Sequence, residues 1–101
     1  MPIVSVLRTV DREQITVSTS VVRLDIAKRR ARPIPELVEI SVFTAPVRWT
    51  DNGTDPTSAL GHVLIPTGQP IILDNRGRIE EFRAIRQGTV DGVLEVSYRR
   101  A

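Results

Sequence analysis

Residues 37–43 read LVEISVF, and the same beat runs through most of the chain. Val38, Ile40 and Val42 alternate with Glu39 and Ser41, while Leu37 and Phe43 bracket the polar side. Successive side chains of a strand point to opposite faces, so a period of two describes a half-buried strand and not an amphipathic helix. Residues 3–10 put Val4, Val6 and Val10 on one face, interrupted by Arg8. Residues 14–24 put Ile15, Val17 and Val21 opposite Thr16, Ser18 and Ser20. Further short runs fall at 47–50, 62–65, 71–73, 82–86 and 93–99. β-Branched residues, which favour the pleated surface of a sheet, dominate these runs.

The separators carry turn chemistry: Asn52-Gly53, Pro66-Thr67-Gly68, Asn75-Arg76-Gly77, Gln87-Gly88 and Asp91-Gly92. About seven to eight short strands at this spacing predict an all-β fold, a single β-sandwich of immunoglobulin-like or jelly-roll-like type, with a small barrel as the other closure. At 101 residues the chain is one domain, 1–101, in which 1–10 serves as an extended N-terminal arm or a strand. The one helical turn expected is 78–82. Residues 27–35 (AKRRARPIP) show no period and are expected to form an exposed loop.

Composition excludes several classes. Hydrophobic residues at 41% suffice for a globular core and argue against disorder. No apolar window is long enough to span a membrane as a helix. MPIVSVLRTVDRE lacks the basic and then long apolar regions of a secretory leader. Without cysteine there is no disulfide framework, thiolate zinc site or thiol nucleophile. The net charge is only +2, yet Lys28 is the one lysine among 14 basic residues. Arginine favours planar pairing with carboxylates and phosphates, but a small net charge spread over both signs does not point to nucleic acid.

The oxygen-rich stretch DNGTDPT offers Asp51, Asn52, Thr54 and Asp55 as calcium ligands on paper. It lacks the alternating ligands and closing glutamate of a helix-loop-helix calcium site. A structural turn accounts better for Asp51, Asn52, Gly53, Asp55 and Pro56: Asn-Gly supplies a positive φ, and Asp-Pro an accepting side chain beside a fixed φ. His62 has no companion from which to build a zinc centre. Ser58, His62 and Asp55 compose a triad only by name, with no nucleophile elbow around the serine. Trp49 should turn inward with Val47 as a core plug. In a carbohydrate-binding module it would instead lie exposed beside the 51–57 loop. The sharpest charge feature is Lys28-Arg29-Arg30-Ala31-Arg32. With no aromatic or helical companion, Lys28, Arg29, Arg30 and Arg32 suit an acidic protein surface better than nucleic acid, or they pair with Glu36 and Glu39. Glu80 and Glu81, beside Arg78 and Arg83, look like a surface ion-pair patch.

Five motifs in the C-terminal half together carry a resemblance. They are Ala45-Pro46-Val47-Arg48-Trp49, the Asp51–Thr57 turn, Gly61-His62-Val63-Leu64, Phe82-Arg83-Ala84-Ile85 and Val96-Ser97-Tyr98-Arg99. In this order they resemble small structural proteins of the tailed-bacteriophage virion. Residues 49–57 are also similar to a turn in β-sandwich modules of secreted glycosidases, a likeness that transfers no sugar-binding residue. The phage resemblance implies a non-enzymatic subunit without cofactor or metal, most simply a capsid decoration (cement) protein on the outside of the head lattice. A head–tail joining or tail component is the alternative. The implied partner is the major capsid protein, and the implied state is a homo-oligomer, with a trimer favoured by analogy to lattice three-folds. The protein would be made in the host bacterial cytoplasm and located in the virion.

Overall fold

A computed structural model describes residues 7–32 and 34–100, which form eight strands and two short helices. In chain order these are β1 (Arg8–Val17), β2 (Val22–Arg23), α1 (Ile26–Arg29), β3 (Leu37–Phe43), β4 (Val47–Thr50), β5 (His62–Leu64), β6 (Ile71–Leu73), α2 (Arg76–Glu81), β7 (Arg83–Arg86) and β8 (Gly92–Arg100). Two four-stranded sheets result, ordered β1-β8-β3-β6 and β2-β7-β4-β5, with every pairing antiparallel. Of the connections, only β4–β5 stays within one sheet. The expected all-β sandwich is the fold observed.

The period of two becomes the core. Val38, Ile40 and Val42 of β3 lie opposite Tyr98, Val96 and Leu94 of β8, and all six are buried. Val47, Leu64 and Ala84 of the second sheet face them, together with Ile79 and Phe82 from α2 and its end. Burying each large apolar side chain contributes roughly 1.5–3 kcal/mol, so these alternating triplets are the principal hold on the register. Gly92 sits where the sheets come close: a Cβ there would stand 2.7 Å from Val47 Cγ1 and 2.9 Å from the Ala45 carbonyl. It pairs with Val17 as the first residue of β8, so its role is close packing and not the turn expected of Asp91-Gly92.

Two sequence expectations need correction. Residues 8–10 and 14–17 of the runs 3–10 and 14–24 belong to one strand, because β1 passes straight through Asp11-Arg12-Glu13, and the second run breaks at 18–21 before β2 in the other sheet. The register shifts between Thr9 and Asp11, leaving Val10 as the extra residue of a bulge, 39% exposed. Past the bulge, Glu13 lies opposite Val96 on the core-facing side. It is accommodated there because the Tyr98 hydroxyl and the Asp25 N–H both donate to its Oε2. Of the proposed N-terminal arm, Arg8–Val10 belongs to β1, and residues 1–6 lie outside the described residues.

The second correction concerns the 27–35 loop. Asp25 accepts the Ala27 N–H at 2.8 Å and caps the single turn of α1, which overlaps the start of that loop and turns Arg29 into the protein. Arg29 is the one buried charged residue among those described.

Candidate functional site

Glu80 organises the surroundings of Arg29, the one buried charged residue among those described. On α2, capped by Asn75 accepting the Arg78 N–H at 3.0 Å, Arg76 and Glu80 are four residues apart and share a face. Arg76 Nη2 reaches Glu80 Oε2 at 2.6 Å, and its Nη1 donates to the Arg29 carbonyl at 2.9 Å. From α1, Arg29 Nη1 donates to the Leu24 carbonyl at 2.7 Å. Its Nε stands 3.3 Å from Glu80 Oε1, close enough for an ion pair but not aligned as a hydrogen bond. Arg30 forks across the same carboxylate, Nη2 at 2.8 Å from Oε1 and Nε at 3.2 Å from Oε2. Arg23 on β2 donates through Nη2 to the Glu80 main-chain carbonyl. Four guanidinium groups from three parts of the chain thus converge on one glutamate. Arg30's hydrogen bond leads in lowering the Glu80 carboxyl pKa; burial is the next effect and opposes it, and the charges of Arg29, Arg30 and Arg76 add to the lowering. The reciprocal effect raises Arg30.

This arrangement revises the basic run read from the sequence. Arg29, expected on a partner-facing surface, is 5% exposed and lies beneath the site. Lys28 is engaged by Asp11 at 3.0 Å, which lowers the Asp11 pKa. Arg30 and Arg32 are exposed. Glu39 pairs with Arg99 at 2.8 Å rather than with the 28–32 run, and Glu36 has Arg100 at 3.6 Å. Arg23 and Arg76 carried no signal in the sequence, because β2, α1 and α2 meet only through the fold. The one local clue was Asp25 before Ile26-Ala27-Lys28-Arg29, an N-cap preceding a helical turn.

The Asp51–Pro56 stretch opens the longer loop 51–61 between β4 and β5 and is not a two-residue hairpin. Asn52 Oδ1 accepts from Thr54 N at 3.2 Å and Thr54 Oγ1 at 2.6 Å, and Gly53 takes φ +87°. Asp51 accepts from Arg78 Nε at 2.6 Å, Asp55 accepts from Arg83 Nη1 at 2.7 Å, and Pro56 is buried. The loop's carboxylates therefore face arginines of α2 and β7. Arg78 also reaches Asp74 at 3.1 Å, whereas the expected Glu81–Arg83 contact is a loose 3.8 Å. Among the described residues, no His, Cys, Asp or Glu side chains gather in threes as a metal-holding group.

Trp49 turns inward, as expected, but rests half-buried at the rim of the core. Its ring lies 4.7 Å from that of His62, its exposed partner on β5, and 6.0 Å from that of Phe82. Ser58 lines an open groove of about 420 Å³ with Thr19, Thr57, Ile85 and Arg86. Among the described residues no hydrogen bond joins Ser58, His62 and Asp55. Comparison with protein families, characterised proteins and solved structures finds no match to this chain.

Proposed function

We propose that this chain is a non-enzymatic structural protein of the tailed-bacteriophage virion, and specifically a capsid decoration protein bound to the outside of the head. The observation that carries this reading is where the resembling sequence blocks lie. The blocks Ala45–Trp49, Gly61–Leu64 and Phe82–Ile85 lead into and overlap β4, β5 and β7, three adjacent strands of one sheet, and Val96–Arg99 falls on β8 of the other. The Asp51–Thr57 turn that links them is pinned to α2 and β7 by Asp51–Arg78 and Asp55–Arg83. Most of the resemblance is therefore borne by contiguous strands of one sheet and the loop that braces them.

The surface also fits repeated docking on a lattice. Leu60, Val63 and Ile65 are 69%, 46% and 44% exposed on and beside β5, an edge strand. An uncharged edge of this kind is available for pairing or packing. Weak contacts of one copy gain strength when many copies bind a symmetric shell. The test is co-sedimentation of purified protein with phage heads that lack it, with copy number counted on gels. Saturable binding at one copy per lattice position supports a decoration role. Copies sufficient for one vertex only reassign the protein to the head–tail junction or tail, and absence of binding refutes the virion reading.

A further inference from the structure

The basin around Glu80 holds more positive charge than the fold requires. A buried guanidinium needs one counterion, and Glu80 supplies it to Arg29, whose side chain is 6% exposed. That pair is already neutral. Arg30 and Arg76 nevertheless converge on the same carboxylate, and Arg23 on the main-chain carbonyl of the same residue, so that four guanidinium groups surround one glutamate. Arg23 also lies directly opposite Arg83 in the β2–β7 ladder, a like-charge cross-strand pair that destabilises a sheet. Arg83 is compensated by Asp55, whereas among the described residues Arg23 has a main-chain carbonyl and no carboxylate.

The surplus groups are held in place with donors to spare. Arg30 uses Nε and Nη2 on Glu80 and Arg76 uses Nη1 and Nη2, so Arg30 Nη1 and Arg76 Nε find no acceptor among the described residues. Arg23 likewise commits only Nη2. The Arg30 and Arg76 side chains remain 57% and 40% exposed. Guanidinium groups fixed on one edge and open on the other have already lost much of the rotamer freedom that binding would otherwise cost.

We propose that this basin is an anion-binding site that takes the carboxylates of an acidic segment of a protein partner, with Arg23, Arg30 and Arg76 as its donors and Arg29–Glu80 as its buried base. Carboxylates match the planar fork of arginine. Nucleic acid would call for a stacking ring, yet Phe82 and Tyr98 are buried, Trp49 packs on Phe82 and His62, and Phe43 lies on the other sheet. The assignment deepens the virion reading, since it names the chemistry by which a shell would be gripped, but its test needs no shell.

Fluorescence anisotropy of labelled hexaglutamate with the intact protein at low ionic strength provides that test. Saturable binding is expected, weakening as salt is raised. Arg23→Gln with Arg30→Gln, which leaves Arg29 and Arg76 on Glu80, should weaken it about tenfold with the melting transition retained. Arg12→Gln on the exposed side of β1 should leave it unchanged. No binding of hexaglutamate, or equal affinity in the double variant, overturns the site. Tighter binding of inorganic phosphate or of an oligothymidylate overturns its assignment to carboxylates. If hexaglutamate binds but heads do not, the site stands and the virion reading falls. If heads bind equally well with the double variant, the shell is held elsewhere.

Discussion

Replacing Glu80 with alanine should be among the most damaging changes available on the polar side of this protein. It leaves Arg29 buried with a single neutral partner, the Leu24 carbonyl, and removes the anchor of Arg30 and Arg76. Breaking one side of a buried ion pair costs about 3–5 kcal/mol. Glu80 retains 21% of its side-chain exposure, so water can partly reach the stranded charge and the low end, about 3 kcal/mol, is expected. For a domain of this size that lowers the melting temperature by roughly 12–24 °C and removes a large share of a total stability of roughly 5–15 kcal/mol. Urea denaturation should show a lower midpoint with an unchanged slope. Arg29→Met should cost only about 1 kcal/mol, chiefly for the Leu24 carbonyl left without its donor. Combined with Glu80→Ala it should cost far less than the sum, because no charge remains to be stranded. A Glu80→Ala cost below about 1 kcal/mol, or additive costs in the double variant, would refute the claim that Glu80 exists to neutralise Arg29.

Four further outcomes are expected. Glu80, Asp11 and Asp91 all have pKa values lowered in the folded protein, principally by hydrogen bonds from Arg30, Lys28 and Ser18 respectively. Their stabilisation is therefore present above the unfolded carboxylate values of about 4 and is lost as pH falls through the lower folded values; acid titration of stability should show this, and Glu80→Gln should flatten the dependence. Burial, with the hydrogen bond to Glu13, raises the Tyr98 phenol above its ordinary value. Stability should then hold below about pH 10 and decline above it, as the unfolded chain releases the proton that the fold retains; a stability flat from pH 9 to 12 would contradict this. Gly92→Ala should cost about 1–3 kcal/mol by forcing apart the sheets at Val47 and Ala45, read from a thermal melt. Finally, Trp49 fluorescence should be quenched by acrylamide to an intermediate degree, increasing in His62→Ala; an indole as accessible as free tryptophan would contradict its seat against Phe82.

By itself the sequence determined most of the strands, though not how they are ordered into sheets. Alternation such as Val38-Glu39-Ile40-Ser41-Val42 sorts side chains to two faces through backbone geometry alone, so the strands β3, β4 and β8, and the core-facing residues of β3 and β4, were legible without a neighbour. The Asn52-Gly53 turn was legible for the same reason, since a positive φ and an Asx hydrogen bond are local. The polar network was not. That Arg29 is interior depends on α1 being laid against α2, and its counterion is fifty-one residues away in sequence, at Glu80. Period two puts Glu13 on the face of Ile15 and Val17, but the group that makes a carboxylate tolerable there, the Tyr98 hydroxyl on β8, is eighty-five residues away in sequence. Apolar patterning is a statement about one segment and water. Charge pairing is a statement about two segments and the distance between them, and only the tertiary structure sets that distance.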